Sequence, residues 1–249
     1  MRLLTLACSA VLLANSLLAF EPGQLSLDNV SNFEEGDAGF TIRHRFFGKA
    51  DEADTAFGLD DGANTFLSLR YSPLKDFIFE VHHATLQSEN NIRLGYAHKF
   101  DYLHTQFNLN YFKFEEGTNE DAKNFFANAV FQTPLIYDHI TLTSNIGYDH
   151  YYDKTGAGFG IEVSTQNFMP NVLTFTESMS ILAEYYTKHK DLDNFDREYN
   201  SYAFGVKFRT YGHHFELLLT NSTAVDPRTM MQGSNTTDLH FAFNINRKF

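Results

Sequence analysis

Leu239-His-Phe-Ala-Phe-Asn-Ile-Asn-Arg-Lys-Phe249 closes the chain, and its alternation decides the fold. Leu239, Phe241, Phe243, Ile245 and Phe249 fall on one face at period two. His240, Ala242, Asn244, Asn246 and Lys248 fall on the other. This is the pattern of a strand with one apolar and one wet face. A soluble sandwich could use it, but ending on the aromatic itself is the habit of bacterial outer-membrane barrels, whose last strand serves as an assembly signal. Arg247 interrupts the apolar face one step before its final aromatic.

At the other end, residues 1–19 read as an export signal and residues 20–249 as one barrel domain. Met1-Arg2 is a short positive start, and Leu3–Leu18 is apolar but too short and interrupted to span a bilayer. The single cysteine, Cys8, lies within this leader, so the exported chain relies on neither disulfides nor cysteine-bound metal. About 230 remaining residues suit one domain. With 26 Phe and 13 Tyr, 16% of the chain is aromatic although its mean hydropathy is slightly polar (−0.32), as suits a barrel with one face in lipid and the other in water. A net charge of −12 argues against nucleic acid, whose phosphates demand a basic stripe.

Twelve segments have strand character: Ala38–Phe47, Asn64–Tyr71, Phe77–Ala84, Asn91–Phe100, Leu103–Phe114, Asn124–Thr133, His139–Tyr151, Gly158–Gln166, Val172–Tyr186, Ser201–Thr210, His213–Asn221 and Asp238–Phe249. Glu177 falls on the apolar side of the ninth, which a bulge or a later start would repair. Long polar connections follow mostly odd-numbered strands (Gly48–Ala63, Glu115–Lys123, Thr187–Asn200, Ser222–Thr237), and short ones follow even-numbered strands. That rhythm predicts an all-β, closed, up-and-down antiparallel transmembrane barrel of about 12 strands, long loops outside and short turns in the periplasm.

Alternation also sorts the charges. Arg43, Arg45, Glu80, Arg93, Lys99, Glu162, Glu184, Lys207, Arg209 and Glu216 fall on the presumed inner face and are expected to line the lumen. Facing lipid, each basic group would cost about 2–4 kcal/mol at mid-depth; facing inward, opposite signs can pair. Glu162, Glu184 and Glu216 are the expected counter-charges of Arg43, Arg45, Lys207 and Arg209. Twelve strands enclose more space than the eight whose side chains fill a barrel, so a narrow wet lumen and a charge-plugged one both fit.

Three segments together resemble an uncharacterised bacterial family of membrane-bound β-barrels, domain of unknown function 5777. They are Gly39-Phe-Thr-Ile-Arg-His-Arg-Phe46, then Phe57-Gly-Leu-Asp-Asp-Gly-Ala-Asn64 with the following Leu69-Arg-Tyr71, and the closing Asn244-Ile-Asn-Arg-Lys-Phe249. The resemblance covers the two ends better than the middle. It implies one barrel in the bacterial outer membrane, and neither an activity nor site residues.

Catalytic and metal motifs are sparse. Among eleven histidines, His82-His83 and His213-His214 are adjacent pairs, but strand neighbours point to opposite faces and cannot share an ion. Asp51, Glu52, Asp54, Asp60 and Asp61 cluster in the first long connection and are weak metal candidates without EF-hand spacing. A solvated anionic surface, bridged to lipopolysaccharide phosphates by divalent cations, is the plainer expectation. Ser144 and His150 share a face of the seventh strand but lie about 20 Å apart, and no Gly-x-Ser-x-Gly elbow is present. The sequence therefore predicts an outer-membrane barrel that acts as a narrow diffusion channel or a structural envelope protein, with no cofactor. Its expected partners are outer-membrane lipid, lipopolysaccharide and, through the last strand, the barrel-assembly machinery. The alternatives are a lipid-modifying enzyme and a surface-binding barrel working through acidic extracellular loops.

Overall fold

The computed structural model describes residues 24–165, 176–189, 197–210 and 212–249, so the expected leader lies outside the described residues. Among the described residues twelve strands form: β1 (Ala38–Phe46), β2 (Ala63–Leu74), β3 (Phe77–Ala84), β4 (Glu89–Lys99), β5 (His104–Glu116), β6 (Asn119–Gln132), β7 (Ile140–Asp149), β8 (Lys154–Ser164), β9 (Ser178–Thr187), β10 (Ser201–Thr210), β11 (His213–Thr220) and β12 (His240–Lys248). Two match the expected bounds and most others move by a few residues. The expected ends at Gln166 and Val172 lie outside the described residues.

Each strand runs antiparallel to its neighbours in sequence, and β12 returns to β1 with Gly39 opposite Lys248 and Arg45 opposite Ala242. Beyond the ladder, Phe249 N donates to Ala38 O at 2.7 Å. Closure leaves no open edge, the condition for putting a sheet into hydrocarbon. We call the end where β1 begins and β12 finishes proximal, and the end with the long connections distal.

The wall is apolar outside and polar inside. In β4, Ile92, Leu94 and Tyr96 point outward while Glu89, Asn91 and Arg93 are buried within. In β12, Phe241 faces out while Asn244, Asn246 and Lys248 face in. Arg247 stays on the outward face beside the proximal rim, its guanidinium 4.9 Å over the Phe249 ring. A long basic side chain can keep its head at such an interface while its stem covers apolar surface. Glu177 precedes β9, which starts at Ser178, so the later start applies.

Two expected connections are not loops over the surface. Glu115–Lys123 is mostly strand: β5 and β6 extend across it and leave Gly117-Thr118 as a hairpin turn, Gly117 at a φ of 58°. The inward alternation simply continues, through Phe112, Phe114 and Ala122. Ser222–Thr237 instead folds into the barrel, where Ala224, Val225, Met230 and Met231 are buried. A stretch carrying these four apolar side chains gains more by packing inward than by remaining in water.

Candidate functional site

Most distinctive is the bore, which two segments of the chain occupy. Ahead of β1, residues 24–33 run through the lumen and contribute no strand to the barrel. Their backbone groups are met by side chains of the wall. Ser31 N donates to Gln106 Oε1 at 2.8 Å and Val30 N to Gln132 Oε1 at 3.0 Å. Asn145 grips Asp28 twice, accepting from its N and donating to its O, both at 2.9 Å. Glu184 accepts from Ser26 N at 2.9 Å and from Leu27 N at 3.1 Å. Leu25 O accepts from Asn244 Nδ2 at 2.7 Å and from Arg45 Nη2 at 3.1 Å. A buried irregular segment needs such partners for its peptide groups, and here the inward amides and carboxylates supply them.

The wall is also shaped for this segment. On the inward face of β8, a Cβ at Gly158 would stand 2.7 Å from Leu27 Cδ2, and one at Gly160 would stand 2.6 Å from Leu27 Cδ1. Only glycine lets the segment approach so closely.

The distal segment is held differently. It carries one short helix, α1 (Pro227–Met231), capped by Asp226, whose Oδ1 accepts from Thr229 N at 3.0 Å. Met230 and Met231 join Phe112, Phe114, Phe126, Tyr186 and Leu27 in one apolar cluster. Arg228 is buried, ion-paired with Glu89, and its guanidinium lies 4.6 Å over the Phe112 ring. Burial opposes the Arg228 charge, but Glu89, Asp226 and Asp149 outweigh it and raise the group. The Asp226 carboxyl is shifted up, first by burial and then by the charge of Glu89. Arg43 ties the two segments together, donating to Val225 O at 2.6 Å and Ser26 O at 3.3 Å.

Cavities remain at both mouths. A distal cavity of about 570 Å³ is lined by Lys49, Gln87, Glu89, Asp226, Asp238 and His240 among others. Proximal cavities of about 360 and 600 Å³ share Lys99. At mid-bore a void of only about 10 Å³ lies between Asp28, Arg43, Arg70, Glu80, Arg93 and Asp226, roughly the space of one water. The described bore is therefore a closed passage with a vestibule at each end.

Of the residues expected to line the lumen, Arg43, Arg45, Glu80, Arg93, Glu162, Glu184, Lys207 and Glu216 are inward and buried. Arg209 is inward with its side chain one quarter exposed (25%). Lys99 stands at the proximal mouth and is exposed. Lys207 Nζ lies 2.9 Å from Glu162 and 3.7 Å from Glu216, and Arg209 Nη2 lies 2.6 Å from Glu162, so that expected pairing forms. The expected role of Glu184 is different: it receives peptide N–H groups, while Arg43 and Arg45 bond chiefly to carbonyl and amide oxygens. Arg70 shares the inward face and pairs with Glu80; the alternation through Ser68, Arg70 and Ser72 was signal enough. Asp28 and Arg228 lie outside any strand, where alternation has no bearing.

Asp51, Glu52, Asp54, Asp60 and Asp61 lie in the distal connection between β1 and β2. No group of three metal-ligating side chains comes together among the described residues. His82 is buried between Glu80 and Glu89, whereas His83 faces out and meets Asn90 Oδ1 at 3.1 Å, so the adjacent pair is split across the wall.

The family described as "Membrane bound beta barrel domain (DUF5777)" matches residues 24–106 and 171–249. No curated protein matches the chain. Among solved structures, a KdgM porin is similar over 85% of this chain and 99% of its own, with a TM-score of 0.52 at 11% identity. A NanC porin is similar over 84% of this chain and 100% of its own, with a TM-score of 0.51 at 9% identity. At such identities the likeness is one of fold.

Proposed function

We propose that this chain, which belongs to the membrane-bound β-barrel family DUF5777, is an outer-membrane barrel offering small polar solutes a route that rests closed. One observation supports this reading above others: a largely polar bore is filled by residues 24–33, whose peptide groups are joined to the wall by hydrogen bonds that water can replace. A barrel meant only as structure has no need of an interior so rich in exchangeable polar contacts, since apolar filling stabilises more simply. On this reading residues 1–19 serve as the export signal. The outward belt faces outer-membrane lipid, lipopolysaccharide meets the distal rim, and the last strand addresses the assembly machinery.

Planar bilayers test it. The wild-type protein should be silent for most of the record, and a variant lacking Gln24–Phe33 should give steady single-channel steps. Both proteins should shift on heating in gel electrophoresis, which reports a folded barrel. A folded but silent deletion variant sinks the proposal, and so does a wild type that conducts constantly at the deletion variant's level.

A further inference from the structure

We infer that the wall carries a carboxylate-binding site, now occupied by the chain's own Asp28, and that free organic carboxylates compete for it. The inference rests on the closed route proposed above and names the solute class that route takes. Asp28 is buried, and three wall side chains hold its two oxygens. Arg93 Nη1 lies 3.0 Å from Oδ1, and Asn128 Nδ2 and Asn108 Nδ2 lie 3.0 and 3.4 Å from Oδ2. Guanidinium and amide donors converging on two oxygens are the chemistry of carboxylate recognition.

The site belongs to the barrel and not to its occupant. Arg93 is steadied by Nε donating to Asn110 Oδ1 at 2.7 Å, and Asn110 in turn by Nδ2 donating to Phe126 O at 3.0 Å. The Asn108 amide is oriented by Gln106 Nε2, which donates to its Oδ1 at 2.7 Å. The Arg93–Asn110–Phe126 support is independent of residues 24–33, so the guanidinium keeps its aim when that segment leaves, while Gln106 also accepts from Ser31 N. Asn128 Oδ1, buried and without a hydrogen-bond partner among the described residues, leaves one acceptor on the same amide.

Charge accounting agrees. Glu80 approaches Arg93 only to 3.6 Å and is held closer by Arg70, whose Nε donates to it at 2.7 Å. Arg43 and Arg45 have oxygens of the filling segments as partners: Ser26 O and Val225 O for the first, Leu25 O and Ser26 Oγ for the second. Withdrawing residues 24–33 would thus strip oxygen partners from three guanidiniums in a chain whose overall charge is −12. A desolvated cation left without a partner is costly, so an incoming anion is favoured where Asp28 has been.

The test uses the full chain carrying Ser26→Cys, a buried position whose labelling by a water-soluble maleimide reports release of the segment. Glutarate should accelerate labelling at least about tenfold over potassium chloride or phosphate of equal ionic strength, because it binds only the state from which Asp28 has left. In the Asn128→Leu background that acceleration should shrink severalfold. Asp28→Asn should raise the labelling rate without any glutarate. Equal effects of glutarate, phosphate and chloride overturn the site, as does fast labelling before any anion is added. Either result leaves the gate itself to be judged in bilayers, where silence of the deletion variant is the separate failure.

Discussion

The two segments inside the barrel fill one space with different mixtures of contacts. Residues 24–33 are bound through their peptide groups to Gln106, Gln132, Asn145 and Glu184, and also through Leu25 and Leu27 in apolar clusters and Asp28 in an ion pair with Arg93. The distal segment is bound through its side chains, Met230 and Met231 within an apolar cluster and Arg228 in a buried ion pair. A hydrogen bond exchanged with water costs only about 0.5–1.5 kcal/mol net, whereas exposing a buried Met side chain forfeits about 1.5–3 kcal/mol. On the closed-route proposal the first segment, with more of its contacts in exchangeable peptide hydrogen bonds, is the one that leaves, and the second is the one that stays. On that proposal, opening consists of the withdrawal of a segment continuous with β1 at the proximal mouth.

The largest effect should come from the anchored segment. Arg228→Ala leaves Glu89 buried without its partner and removes a guanidinium from the faces of Phe112 and Phe114. Breaking one side of a buried ion pair costs about 3–5 kcal/mol, so the denaturant midpoint of the folded barrel in detergent should fall accordingly. An unchanged midpoint would mean that the distal segment is as exchangeable as the first, and the contrast would fail. Next comes Glu184→Gln, which weakens two charge-assisted bonds, from Ser26 N and Leu27 N. Hydrogen bonds to charged groups contribute about 1.5–3 kcal/mol each. Amide exchange at Ser26 and Leu27 should quicken by at least about tenfold, with exchange at Met230 and Met231 left as in wild type. Equal quickening in both segments would show that they open as one.

How much of this was legible in the sequence follows from where each residue lies. Wherever a side chain sits on a strand, period two assigned its face: eight of the ten expected lumen residues are inward and buried, Arg209 is inward and partly exposed, and Lys99 is exposed at the proximal mouth. The same alternation held for Arg70, which was within reach of the argument. It could not extend to Asp28 or Arg228, because a segment that fills a barrel has no pleat and borrows its hydrogen bonds from side chains. Glu184 shows the limit on a strand: alternation set its direction, but its partners are peptide N–H groups more than 150 residues away (separations of 157 and 158). Gly158 and Gly160 carried a further clue. Inward glycines at alternate positions on one strand mark a close approach, and what approaches these two is Leu27, together with Gln24 and the Tyr186 ring.

The smallest effect belongs to a contact outside both segments. Lys49, in the distal connection after β1, lies 2.9 Å from Asp238, and both side chains are more than one third exposed. The hydrogen bond from Lys49 and its charge hold the Asp238 carboxyl below its ordinary value. A carboxyl so depressed contributes stability above its unfolded value and loses it as pH falls through the lower folded one, so the tether should weaken only in acid. Lys49→Met should move the carbon-13 titration midpoint of the Asp238 carboxyl upward, toward an unpaired carboxylate. The denaturant midpoint should stay put, since exposed pairs are screened and Ala50 N still donates to Leu239 O at 2.7 Å. The consequence for the contrast is sharp, because Lys49 and Asp238 line the same distal cavity as Asp226 and Thr229. If cutting this tether speeds exchange at Met230 and Met231, the distal segment is held by the rim of its vestibule; if it does not, the apolar cluster and Arg228 suffice to keep it in place.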